Sequence, residues 1–131
     1  MELTIKALLN SRSALATLGN TKGLQSVVAY RIAKNIKAIN AELETYEETR
    51  VNLVKEYAKK DKDGNPLKKE TNGNEVYDIE DEKMEELNKE IKKLMDEIVE
   101  IDIKKISLDE VNSAGLSAFE LESIEFMLDI D

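Results

Sequence analysis

DEKMEELNKEIKKLMDE, Asp81–Glu97, places Met84, Leu87, Ile91 and Leu94 at steps of three and four, and Ile98 and Ile101 continue the series. That spacing puts one apolar seam along an α-helix. The alternating glutamates and lysines between the seam positions mark a solvated face. A second seam precedes it: Ile32, Ile36, Ile39, Leu43, Tyr46, Leu53 and Tyr57, in a segment from about 23 to 60 with no proline and no glycine after Gly23. Arg50 stands in this seam between Tyr46 and Leu53. An arginine there can lay its stem on the stripe and send its head to an acid, or it can set register or partner choice. Two seams of matching length, about 23–60 and 79–100, predict a mainly α fold built on an antiparallel, coiled-coil-like helical hairpin. The simplest register sets Tyr57 near Met84 and Ile39 near Ile101.

Between the helices lies DKDGNPLKKETNGNEVYDI, Asp61–Ile79, which has the look of a calcium loop. Such a loop needs acids at its first, third and fifth positions, glycine at the sixth and glutamate at the twelfth. Setting Gly64 sixth puts Asp61 third, Asp63 fifth and Glu70 twelfth, but Lys59 then takes the first ligand position. Starting at Asp61 puts Pro66 where glycine is required. Neither register supports a metal site, and no cofactor is expected. Asp63-Gly64 and Asn72-Gly73 are instead strong turn dipeptides, because tight hairpin turns need positive φ. They predict a β-hairpin or loop over 61–78, with PLKKET and EVYDI as its strands. Lys62, Lys68, Lys69 and Tyr77 then form a candidate contact surface at the tip.

The ends carry shorter elements. MELTI alternates Leu3 and Ile5 with polar residues, a short strand pattern, and helical spacing follows from Lys6 until Gly19-Asn20 supplies a glycine stop. Val99, Ile101, Ile103 and Ile106 suggest a second strand, which can pair with ELTIK at the base of the hairpin. SLDE (Ser107–Glu110) and SAFE (Ser117–Glu120) both read as capping boxes, the second with Leu116 placed to staple on Leu121. A terminal helix over about 118–128 is expected. At 131 residues the chain is expected to form one domain over 1–131.

Hydrophobic residues make up 41% and charged residues 36% of the chain, which suits long, solvent-washed helices. There is no Cys and no His. Thiolate chemistry, sulfur-ligated zinc and the commonest general base are thereby excluded. No glycine-rich phosphate loop occurs, since GNTKG at Gly19–Gly23 lacks the spacing, and no catalytic residues stand out. The N-terminus lacks the pattern of a signal peptide, and no apolar run has the length of a membrane span. Charge is uneven. Residues 1–40 hold one acid against six bases, whereas residues 96–131 hold eleven acids against Lys104 and Lys105, within a net charge of −9. The acidic end, with Glu110, Glu120, Glu122, Glu125, Asp129 and Asp131, offers a surface for a basic partner or an imitation of nucleic acid. Binding to nucleic acid itself would fall to Arg12, Lys22, Arg31, Lys34 and Lys37 with Tyr30, and the overall charge opposes it.

The layout of strand, helix, YRIAKNIKAINAELETYEETRVNLVKEYAKKDKDGNP, charged return helix and acidic end resembles small, uncharacterised proteins encoded by phages of Gram-positive bacteria. The phrase LVKEYAKKDKDGN carries the likeness most closely. The resemblance implies a setting in the cytoplasm of an infected bacterial cell. The expectation is a non-enzymatic protein–protein interaction module that binds and inhibits a host or defence protein. The alternatives are a virion or tail-assembly component acting as a homo-oligomer, and an acidic nucleic-acid mimic.

Overall fold

The computed structural model describes residues 1–129. The chain is mainly helical, with a long helix and, among the described residues, three two-stranded sheets, two antiparallel and one parallel. It groups into two compact units, one of residues 1–43 and 98–131, the other of Glu44–Glu97. Helix α3 (Ser26–Tyr57) supplies residues to both.

In the first unit, strand β1 (Glu2–Thr4) runs into helices α1 (Ile5–Asn10) and α2 (Arg12–Gly19). The Thr4 hydroxyl accepts the Ala7 N–H at 3.1 Å and caps α1. Ser11, fully buried between the two helices, donates its hydroxyl to the Leu8 carbonyl at 2.6 Å. The helix stop at Gly19 is there, but its cause differs from the expected left-handed turn. A Cβ on Gly19 would meet the Ile36 side chain at 3.2 Å, so glycine lets α2 approach α3 closely. Positive φ falls instead at Gly23 in the connector.

The apolar phase of α3 in this unit runs through Val28, Ile32, Asn35, Ile39 and Leu43, all buried. Ile36, placed in the seam by its hydrophobicity, is only half-buried, and Asn35 takes the inner position. The reason is a pair of hydrogen bonds. Asn35 Nδ2 donates to the Lys104 carbonyl at 2.9 Å, and Asn35 Oδ1 accepts the Lys104 N–H at 2.7 Å. A single amide side chain thus supplies what a neighbouring strand would supply to residue 104.

β1 pairs antiparallel with β4 (Ile98–Glu100), Leu3 opposite Val99, as the alternation at both ends suggested. Helix α4 (Asp81–Met95) accordingly stops short of 100, because Ile98–Glu100 is taken into this sheet. Beyond it, β5 (Ile106–Ser107) leads into a 3-10 helix, Asp109–Ala114, then α5 (Ala118–Ser123), a second 3-10 helix, Glu125–Met127, and β6 (Leu128–Asp129). β5 and β6 pair parallel, Ile106 opposite Leu128. That pairing ends the terminal helix early: buried Leu128 is extended as a strand residue where a helix to 128 was expected. Of the two capping boxes, the one at Ser117–Glu120 is complete. At Ser107–Glu110 only half forms, with Glu110 Oε1 accepting the Ser107 N–H at 2.8 Å.

The second unit contains the end of α3, strands β2 (Lys68–Thr71) and β3 (Asn74–Tyr77), and α4. Its core is small: Ala58, Ile79 and Leu87 are buried together, with Leu53, Val54, Tyr57, Tyr77 and Ile91 packed on them. β2 and β3 form an antiparallel hairpin whose turn residues Asn72 and Gly73 have φ 52 and 79 degrees, the double positive φ that Asn-Gly favours. Lys68 faces Tyr77, and Glu70 stands directly opposite Glu75. Like charges at opposed positions weaken a hairpin. Glu75→Lys is therefore expected to stabilise it by about 0.5 kcal/mol, read as increased cross-strand signals by NMR and diminished by salt.

Candidate functional site

Two surfaces are candidates for a functional site, and each belongs to one unit. The first is the hairpin in the second unit. Every residue of β2 and β3 is exposed except half-buried Tyr77. Leu67 and Val76 are among the exposed apolar side chains, and Lys68 Nζ lies 5.2 Å from the centre of the Tyr77 ring. The lysines around it are largely engaged by their neighbours. Lys59 and Lys69 lie 3.6 and 3.8 Å from the two Asp78 carboxylate oxygens. Lys60 donates to the carbonyls of Lys55 and Ala58. Asp61 caps the turn that follows it, one carboxylate oxygen accepting the N–H groups of Asp63 and Asn65 at 2.9 Å each. That oxygen is therefore used to hold the loop. No grouping of three or more His, Cys, Asp or Glu side chains among the described residues is arranged to hold a metal ion. Of the tip residues singled out in the sequence, Lys68, Lys69 and Tyr77 lie on the paired strands, whereas Lys62 is exposed in the loop before them.

Arg50 is half-buried on α3, and its guanidinium holds Glu47 one turn back at 2.5 and 3.3 Å. The hydrogen bond and charge of Glu47 push the guanidinium pKa up further. On the same helix, Tyr57 has its phenol pKa raised by desolvation first, then by a hydrogen bond to Glu86 and the charges of Glu86, Glu90 and Glu56.

The second surface is on the first unit, where α2 contacts α5. Ser117 caps α5, its hydroxyl accepting the Glu120 N–H at 3.1 Å while Glu120 accepts the Ser117 N–H at 3.2 Å. The other Glu120 oxygen accepts from the Thr17 hydroxyl of α2 at 3.2 Å. Glu120 is thus a tie between elements, a role that sequence pattern did not indicate. The Ser117 backbone N–H, with the Ser117 and Thr17 hydroxyls, holds its carboxyl pKa below the ordinary value. A depressed carboxyl contributes stability that is present above its unfolded pKa and lost as pH falls through its folded one. Glu120→Gln should flatten that acid limb in thermal melts recorded across the carboxylate range. Ser117→Ala should cost about 1 kcal/mol at neutral pH by denaturant titration.

Beside this tie, α5 exposes Phe119 at 85%, the most exposed large apolar side chain described. An open groove of about 560 Å³ runs past it, lined by Leu3, Ala7, Asn10, Phe119, Glu122, Ser123 and Phe126. Of the acids singled out in the sequence, Glu122 lines this groove, Glu125 and Asp129 are exposed beyond α5, and Glu120 is half-buried in the cap. Asp131 lies outside the described residues. No helix among them is long and apolar enough to cross a membrane.

No family model, curated protein or solved structure matches the chain. The surfaces themselves therefore carry the functional argument.

Proposed function

We propose that the protein is a non-enzymatic interaction module that binds another protein through the β2–β3 hairpin. The observation behind this reading is the hairpin's exposure on both faces. An isolated two-stranded hairpin is marginal in water, and burial of one face is what ordinarily stabilises it. This one contributes only Tyr77 to the core of its unit, yet it keeps a favourable turn and the Lys68–Tyr77 contact. Such an element suits recognition, since its outer edges can accept a strand and its side chains can specify one. In this reading α3 and α4 form the antiparallel, coiled-coil-like hairpin that carries the tip. The mixed cluster of Leu53, Val54, Tyr57, Leu87 and Ile91 supports it. The partner, on the phage resemblance, is a host or defence protein in the bacterial cytoplasm.

Affinity purification from a bacterial host lysate tests this with the intact chain beside Val76→Asp and Lys68→Glu. A stoichiometric partner captured by the intact chain and lost from both variants supports the reading. Capture of none, or equal capture by all three, overturns it. A second reading, a homo-oligomer, is favoured by the exposure of Phe119, Tyr30 and Val27 on the first unit.

A further inference from the structure

We infer that the Phe119 groove is the docking site for a second copy of this chain, and that the segment it takes is the outward face of α3 around Tyr30. The inference rests on the homo-oligomer reading and names its surfaces.

Two unpartnered faces of one unit complement each other. The groove is apolar, with Leu3, Ala7, Phe119 and Phe126 on its walls, and Glu122 is the one charged residue lining it. Across Ala118–Met127 there are three acids, Glu120, Glu122 and Glu125, and no base. The outward face of α3 has the opposite character. Val27 is 59% exposed and Tyr30 62%, and Lys34, Lys37 and Ala41 continue the same exposed stripe at helical spacing. Across Ser26–Ala41 there are three bases, Arg31, Lys34 and Lys37, and no acid. This stripe lies opposite the buried phase of Val28, Ile32, Asn35 and Ile39, so nothing within the unit's core uses it.

The side chains correspond in kind and spacing. Tyr30 and Lys34 are one helical turn apart, with Lys34 Nζ 5.9 Å from the Tyr30 ring. Phe119 and Glu122 stand three apart on α5. Seating Tyr30 between Phe119 and Phe126 brings Lys34 toward Glu122, an aromatic anchor beside an opposite-charge pair. Because each copy has both faces, a two-fold arrangement makes the contact twice and closes.

Sedimentation equilibrium of the full chain, from low micromolar to near-millimolar concentration, tests the proposal. The intact chain should associate reversibly to a dimer, more weakly as salt is raised. Phe119→Ser should raise the dissociation constant by about 30-fold, the loss of an interface hot spot. Thermal melts of the monomer serve as the folding control, and an 85% exposed side chain should leave them unchanged. Glu122→Lys and Lys34→Glu should each dimerise poorly alone and recover when mixed, because the mixed dimer restores opposite charges at both contacts. A strict monomer throughout overturns the inference, and so does a dimer indifferent to Phe119→Ser or to mixing. None of these changes touches β2 or β3. A monomer that still captures a hairpin partner would remove this inference alone, and a dimer that captures none would remove only the partner reading.

Discussion

Asn35→Ala should destabilise the unit formed by residues 1–43 and 98–131 by about 3 kcal/mol in denaturant titration. Asn35 is fully buried and makes both of its backbone contacts to one residue, Lys104. Truncation removes a donor and an acceptor together, and an orphaned buried backbone group costs about 1–3 kcal/mol. The Lys104 side chain is exposed, so water can reach part of the site and the cost stays below the sum of two full penalties. Asn35→Asp separates the two bonds. The carboxylate still accepts the Lys104 N–H but faces the Lys104 carbonyl with a second acceptor. Burial and that clash raise its folded pKa, so the deficit relative to Asn grows as pH rises through the carboxylate range. Asn35→Asp should therefore be worse than alanine at neutral pH and better than alanine in acid, where the protonated carboxyl can again donate to the Lys104 carbonyl while accepting its N–H. Equal cost at both pH values would dismiss the two-bond account.

Leu87→Ala is the second large effect, confined to Glu44–Glu97. Besides Tyr46, the buried residues of that unit are only Ala58, Ile79 and Leu87. Leu→Ala in a packed core costs about 3–5 kcal/mol, and so small a cluster has little else to hold β2, β3 and the start of α4 together. Circular dichroism should show partial loss of helix at a temperature where the intact chain is folded. NMR should show the Tyr77 and Ile79 signals collapsing while the Lys104 amide keeps its native shift. Cooperative loss of all signals at one temperature would contradict the local origin of the effect.

The helical character and the long α3 were legible because apolar steps of three and four, interrupted only by Arg50, run through a segment free of proline and internal glycine. The β2–β3 hairpin was legible from Asn72-Gly73, whose φ values have few alternatives. The β1–β4 pairing followed from alternation at two distant ends. What escaped were features decided by tertiary partners. Asn35 is invisible to a hydrophobic pattern, which selects Ile36 instead, although a polar residue one turn from both Ile32 and Ile39 is itself a signal. β5 and β6 are two residues each, too short for any pattern, and their pairing cut the last helix short. The acids of the C-terminal end were visible as composition. That Glu120 is tied to Thr17 while Glu122 lines a groove depends on which way α5 faces, and α5 is short enough for tertiary contacts to decide that.

The Asn35–Lys104 contact also has a meaning for alignment. An apolar α3 could slide by a turn against residues 101–106 and still bury isoleucines, because Ile32 and Ile39 flank Asn35 at almost one turn each way. Only one of these settings offers an amide to the Lys104 backbone; in the others, hydrocarbon meets unpaired N–H and C=O groups. Asn35 therefore acts as a key that tells this segment which turn of the helix to meet, trading some hydrophobic stabilisation for a single register.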